Sequence, residues 1–431
     1  MRDIGVLLFL VTAIVVALRT PWHGVLALAV FSYLNPHTYA WGFMTSFPVY
    51  QVVFLAAAGA FLLAPDKQRI PQDWRIPAFY LLWFYFFLTT LSALAGPYAW
   101  EKLIEVSKIF LPLIFTLVLI NSKEKLYYLI ITIAISFGLV ATKGGVFAVG
   151  TGFSYLVWGP PGTQYFGNNE FAIATLMIVP LLILWQRQTQ RKWLKLALLA
   201  AIPLSIASAV SSHSRGAFLT LGVLGCLLIW HTKRKWMMVP VLLVGAYFLV
   251  GQLPEEWFSR METIQTYQED KSAQGRLEAW RDGFNYAIRH PISGSGFNGW
   301  IVVTMRDWHS AYVEIMAEHG FLALGLWLSL LYGSILSLTR LAWLVNKTPE
   351  LNWAYDYCVM LRASLVAYAV GSLFLGISYW DIFYQIVFIS VLLRQFVLQE
   401  HKALLGDTLA TTPTNPPPQR PRLAPTMQSR H

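Results

Sequence analysis

Cysteine is almost missing from this chain: among 431 residues there are two, Cys226 and Cys358, both in or beside apolar runs. With no CxxC pair and no Cys/His cluster, neither a zinc site nor a disulfide framework is expected. Charge is scarce as well. Only 13% of residues are charged, against about a quarter in a soluble domain, which excludes an ordinary water-soluble fold. The uncharged stretches are too long and too uniformly apolar for the alternation of a membrane barrel. No small-residue cleavage site follows the short apolar core of "MRDIGVLLFLVTAIVVALRTPW", so an uncleaved membrane segment is expected there rather than a signal peptide. No internal repeat of transporter type is evident.

What is abundant is apolar and aromatic surface, at 56% and 15% of residues, with a mean hydropathy of +0.52. Apolar segments, many near the ~20 residues that cross a bilayer, fall at 4–18, 23–34, 47–64, 77–95, 107–120, 126–147, 170–186, 194–210, 215–231, 236–250, 311–338, 359–376 and 380–397. The first two are short for full spans, so the first 46 residues are expected to cross once. The expected fold class is all-α: a polytopic helical membrane protein with about 12 transmembrane helices and a large periplasmic loop containing amphipathic helices. Four parts follow: an N-terminal transmembrane bundle (1–250), the large loop (251–308), C-terminal transmembrane helices (309–398) and a cytoplasmic, largely disordered Pro-rich tail (399–431).

A net charge of +10 invites a nucleic-acid reading. The positions argue otherwise. Lys67, Arg69 and Arg75 sit together, as do Lys123 and Lys125; Arg187, Arg191, Lys192 and Lys195; Lys233, Arg234 and Lys235; Arg340 and Lys347. Such clusters between apolar runs mark cytoplasmic loops. Placing them inside puts 97–106, 148–169, 211–215 and 251–308 outside. The last is the one long connection, at 58 residues, and long loops in compact proteins are usually functional. Its apolar residues are spaced as on two amphipathic helices lying on the membrane face: Trp257, Met261 and Ile264, then Leu277, Trp280, Phe284 and Ala287.

Ionisable groups in or beside membrane segments are costly and call for a reason. Arg215, in "VSSHSRGAFLT", begins an apolar run on the outer side, where topology does not favour positive charge. A snorkelling helix-end arginine competes with an anion site; Gly216 and Ala217 would let a neighbour approach closely. Arg276 opens the second amphipathic helix, while Arg281 and Arg289 read as a solvated face. The glycines of "HPISGSGFNGW" suit a turn better than a phosphate cradle. His309 stands just before an apolar helix on which Ser310, Glu314 and Glu318 form one stripe and Tyr312 and His319 align. Beside two carboxylates and facing loop arginines, His309 is a candidate general base. Lys143, Asn168, Asn169 and Glu170 border another outer loop; the asparagines suit a helix cap and also sugar hydroxyls. Tyr155, Trp158, Tyr165, Trp257, Trp280, Trp300 and Trp308 crowd the outer side, as an aromatic belt or as stacking surface for carbohydrate.

Together, "GRLEAWRDGFNYAIRHPISGSGFNGW", "WHSAYVEIMAEHGFLALG", "SSHSRGAFL" and "YFGNNEFA" resemble the O-antigen ligase and polymerase superfamily, closest to the O-antigen (lipopolysaccharide) ligases. The family pattern of His and Ser, nine residues, then Gly is met by His309, Ser310 and Gly320, with Ala323 in place of a further glycine. The opening 46 residues resemble the N-terminal part of a subgroup that attaches glycans to acceptors. The resemblance implies an enzyme of the bacterial inner membrane that moves a glycan from undecaprenyl diphosphate to a lipid A–core acceptor sugar in the periplasm, with no metal and no cofactor. It implies catalytic roles for His309, Arg215 and Arg276: the arginines on the diphosphate, the histidine near the acceptor hydroxyl. Lys143, Asn168, Asn169, Glu170, Ser310, Tyr312, Glu314, Glu318 and His319 are then candidate substrate-binding residues. An O-antigen polymerase, a protein O-glycosylation ligase and, more distantly, a flippase for the same lipid remain alternatives.

Overall fold

The structure, a computed structural model, describes residues 2–232, 251, 255 and 271–411. The expected segment 236–250, the first loop helix with Trp257, Met261 and Ile264, and the tail beyond Thr411 lie outside these residues. Among the described residues the chain is helical and has no strand. Its helices are α1 (Arg2–Arg19), α2 (Trp22–Tyr33), α3 (Val49–Leu63), α4 (Arg75–Thr90), α5 (Pro97–Leu119), α6 (Lys123–Gly150), α7 (Asn168–Gln188), α8 (Lys192–Val210), α9 (Arg215–Trp230), α10 (Lys271–Arg289), the single turn α11 (Trp300–Val303), α12 (Ala311–Lys347), α13 (Tyr355–Gly371) and α14 (Asp381–Thr411). Every apolar segment within the described residues coincides with one of them. α14 runs on past 398 to Thr411, so the part expected as tail begins as helix.

Among the described residues, five helices are long and apolar enough to cross a membrane: α6, α7, α8, α12 and α14; α2, α3 and α9 are apolar but shorter. The outside of the molecule repeats the message. Leu62, Leu63, Leu196, Leu199 and Trp343 are each at least 60% exposed, a surface that water would penalise and hydrocarbon would not. The core lies elsewhere. α7 is buried from Phe171 to Leu182, and α14 from Asp381 to Leu393. α7 packs on α6, α8 and α13; α12 packs on α4, α10 and α13.

Several charged groups of this apolar body are paired, as a low-dielectric interior demands. Arg75, expected as a loop charge, instead opens α4 fully buried. Its Nε and Nη2 donate to the two oxygens of Asp73 at 2.8 and 2.9 Å, and its Nη1 donates to Ser390 at 2.7 Å. Arg394 reaches the same carboxylate at 3.3 Å. Burial pushes the Asp73 carboxyl up, but the hydrogen bonds and charge of Arg75 outweigh it and hold the group below its ordinary value. Arg187 likewise pairs with Asp356 at 2.7 Å. These cations tie helices together as well as marking a side. At the other end of α14, Asp381 accepts from Ser32, Tyr165 and Gln164, drawing α2 and the 151–167 loop onto the helix.

α12 is broken near its N-terminal end. Gly320 has φ 75° and ψ −176°, a backbone region essentially reserved for glycine. The break frees carbonyls and an N–H that would otherwise close the helix ladder. The glycine-rich loop takes them: Ser295 N–H donates to the Ala317 carbonyl at 2.9 Å, Gly296 N–H to Glu318 at 2.8 Å, and Phe321 N–H to Pro291 at 2.8 Å. A Cβ on Gly294 would lie 2.4 Å from the Glu318 carbonyl, and one on Gly320 would lie 2.4 Å from that of Pro291. The loop is therefore a turn docked into a helix break, not a phosphate cradle.

Candidate functional site

Two cavities open beside the N-terminus of α7. The first, of about 440 Å³, is lined by Arg215, Arg276, Asn168, Asn169, His213 and Trp158, with Phe374 and Leu375 among its apolar neighbours. Arg215 arrives as the first residue of α9, whose cap is Ser214 accepting from Ala217 N–H at 3.3 Å. The preceding His213 holds a positive φ of 52°, and its Nε2 lies 3.0 Å from the Phe153 carbonyl. Gly216 leaves room for the Phe374 ring, 3.2 Å from where a Cβ would stand. Asn168 does not cap its own helix. Its amide donates to the Ser212 carbonyl at 2.8 Å, fixing the turn that delivers Arg215.

Arg276 comes from α10, which is anchored by its small-residue face. Ala279 and Ala287 are buried, and Gly283 lies under the Trp308 ring, where a Cβ would come within 2.8 Å. Trp280, one turn beyond Arg276, donates its indole N–H to the Trp308 carbonyl at 2.8 Å. Arg306 and Glu278 add an ion pair at 2.5 Å. Leu277, Phe284 and Ile288 stand on the other side, each about half-exposed, so the apolar residues of this helix divide between two faces. Arg281 and Asp282 are 3.8 Å apart and exposed, in keeping with a solvated face.

The second cavity, of about 360 Å³, is lined by Lys102, Glu105, Gln164, Glu170, Glu314 and Tyr379, with Phe166, Gly376 and Trp380. The two cavities share their walls. Asn169 faces the first and Glu170 the second; Leu375 faces the first and Gly376 the second. His309 lines neither of these two cavities, but its neighbour Asp307 reaches the wall of the second. His309 lies outside α12, in a left-handed conformation with φ 47°, and its half-exposed imidazole is 3.9 Å from the Asp307 carboxylate. Asp307 and Glu314 both approach Gly376, each with an oxygen 3.3 Å from where its Cβ would be. Asp307, His309 and Arg276 are all near enough to act electrostatically on Glu170.

Of the stripe on α12, the three members part ways. Ser310 is the buried cap residue of α12 and makes no side-chain cap bond. Glu314 Oε2 accepts from Ser378 N–H at 3.1 Å, with the Ser378 hydroxyl 2.5 Å away, while Oε1 turns toward the cavity. Glu318, 2% exposed, accepts from the Trp308 indole at 3.2 Å and from the Tyr379 phenol at 2.8 Å. His319 is fully buried; its Nε2 meets Tyr379 at 2.9 Å and its Nδ1 meets Thr89 at 2.6 Å. Burial, then the charge of Glu318, pushes the Tyr379 phenol well up, so it stays a donor. Glu318 and His319 thus belong to an internal network behind the cavity. Tyr312 bonds to Tyr332 and to the Ala369 carbonyl, both at 2.9 Å. Lys143 is exposed and sits 5.0 Å over the Tyr39 ring. Neither lines a cavity.

The structure therefore brings together Arg215, Arg276, Asn168 and Asn169 around one cavity and Glu170 and Glu314 around the next, with His309 outside both linings and near the second through Asp307. Lys102, Glu105, Gln164, Tyr379 and Trp380 were not singled out by sequence reasoning. Lys102 and Glu105 lie at helical spacing in an expected outer loop, which is a faint signal; the others give none.

Comparison with known families bears on both cavities. Residues 200–328 match the family model described as O-antigen ligase, a segment that holds Arg215, Arg276, His309, Glu314 and Gly320. The resemblance to the O-antigen ligase superfamily is shown over that segment. Residues 1–191 match a family of unknown function (DUF5935), which contributes Lys102, Gln164, Asn168, Asn169 and Glu170. No curated protein matches the chain.

Proposed function

We propose that the protein is an O-antigen ligase: it moves a glycan from undecaprenyl diphosphate to a hydroxyl of a lipid A–core acceptor sugar, on the periplasmic face of the bacterial inner membrane. The observation that carries this reading is the convergence of Arg215 and Arg276 from separate helices on one cavity, beside a second cavity that shares its walls. A glycosyl diphosphate already holds a good leaving group. Two guanidiniums can grip its oxygens in a planar fork and stabilise the charge that grows as the sugar–oxygen bond breaks. The acceptor oxygen forms the new bond to the anomeric carbon, the diphosphate leaves with the bonding electrons, and the acceptor proton passes to His309. A single displacement of this kind inverts the anomeric centre and needs no metal. The half-exposed apolar edge of α10 suits a helix resting on the membrane surface.

Purified protein, labelled undecaprenyl-diphosphate glycan and lipid A–core, incubated in detergent with a chelator, tests the proposal. Label on lipid A–core supports it. A lengthened carrier-linked glycan would make the protein a polymerase, label on protein a protein ligase, and movement of lipid in liposomes without bond cleavage a flippase.

A further inference from the structure

We infer that the second cavity is the acceptor site and that it selects a hydroxyl group on a sugar free of phosphate and carboxylate. The inference rests on the glycan-transfer reading and narrows it. Position comes first. The partition that separates this cavity from the one holding Arg215 and Arg276 is thin, made of neighbouring residues on α7 and on the 374–377 segment, and His309 lies 3.9 Å from Asp307, whose carboxylate reaches the Gly376 wall. A hydroxyl entering on one side would meet an anomeric carbon held from the other.

The lining then decides which hydroxyl. Among the described residues the cavity lining has a single cation, Lys102, whose Nζ already donates to both oxygens of Glu105 at 3.0 Å. The other charged groups facing in are Glu170 and Glu314, with the Asp307 carboxylate at the Gly376 wall. An anionic sugar would have to surrender its hydration beside carboxylates with no cation at liberty to pair with it, which is strongly unfavourable. Hydrogen-bond acceptors, by contrast, are in surplus. Glu314 Oε1 accepts no bond among the described residues, and Gln164, whose amide N–H₂ is committed to Asp381 at 2.7 Å, offers its carbonyl oxygen. Such a lining fits ligands rich in O–H or N–H donors: a neutral sugar or an amino sugar. Phe166 and Trp380 supply apolar surface for a ring. At about 360 Å³ the volume is at the lower end of the roughly 300–1,000 Å³ of small-molecule sites, enough for the end of a saccharide. The anionic parts of a larger acceptor would stay outside.

The test uses the full-length protein in detergent with farnesyl diphosphate bound, so that the arginine cavity is filled. Methyl glucoside, glucosamine and glucose 6-phosphate are then titrated separately and followed by saturation-transfer NMR. The first two are expected to bind, and the phosphate roughly tenfold or more weakly. Glu105→Lys, at a side chain 53% exposed, frees Lys102 and adds a cation, and should close or reverse that gap. Equal binding of the phosphate in the unaltered protein, no change in Glu105→Lys, or no binding of any sugar would overturn the inference. Failure of farnesyl diphosphate to bind would instead strike the glycan-transfer reading itself.

Discussion

Trp280 donates its indole N–H to the carbonyl of Trp308 at 2.8 Å, so the helix that carries Arg276 is fastened to the residue before His309. The proposed anion-binding group and the proposed base are thus tied together through one hydrogen bond. This coupling gives the arginine and histidine predictions a common control: Trp280→Phe should weaken both functions together without touching either group.

Arg215→Ala and Arg276→Ala should each lower transfer by about 10²–10³-fold, the usual effect of removing a donor that stabilises developing charge. Both variants should still reach the membrane. Lys should rescue poorly, because it lacks the planar fork. Near-normal transfer in both Ala variants would reduce the arginines to helix anchors.

His309→Ala should lower turnover by about 10²–10⁴-fold while farnesyl diphosphate binding, measured by calorimetry, survives. His309→Gln separates two roles. Gln can orient a hydroxyl but cannot take its proton at neutral pH. Retained transfer in the Gln variant would pass the base role to Glu314, whose Oε1 faces the neighbouring cavity.

Gly320→Ala should destabilise the protein by at least about 1–3 kcal/mol from backbone strain alone, with a further loss because the new Cβ would press on the Pro291 carbonyl at 2.4 Å. Thermal unfolding in detergent would report it. An unchanged midpoint would show that α12 can re-form across the break.

Asp73→Asn should cost about 3–5 kcal/mol, the penalty for stranding a buried charge, because Arg75 is 0% exposed. The Asp73 carboxyl lies below its ordinary value in the folded state. Its contribution is thus present above the unfolded carboxyl value of about 3.9 and is lost as pH falls through the folded one. Unfolding midpoints should therefore drop on acidification less steeply in Asp73→Asn than in the parent.

A single cysteine at Gln274, with Cys226 and Cys358 both replaced by Ser, should be labelled by an impermeant reagent from the periplasmic side. Labelling only after the inner face is opened would reverse the topology and sink the mechanism.

The helices were legible because apolar runs of this length have one common solution in a membrane, and each run within the described residues became a helix. Arg215, Arg276 and His309 stood out as candidates through charge placed beside apolar segments and through motif context, and the structure brings the two arginines to one cavity. What the sequence hid was burial. Helical spacing put Glu314 and Glu318 on one stripe, but only the packing of Trp308 and Tyr379 around Glu318 separates a cavity residue from a network residue. Arg75 reads as one more loop cation until Asp73 and Ser390 close on it. Gln164 and Tyr379 lie in loops without pattern, and their partners are remote in the chain: Gln164 meets Asp381, and Tyr379 meets Glu318.

The Asp381 carboxylate has a consequence for how the molecule is made. Its partners Ser32, Gln164 and Tyr165 are synthesised long before it. A ribosome that has inserted the thirteen described helices before α14 has therefore produced a bundle whose second cavity still lacks the strut holding Gln164 in its wall. On the proposed function, neither acceptor recognition nor transfer could begin on the nascent chain. A product truncated before α14 would leave those donors without their acceptor.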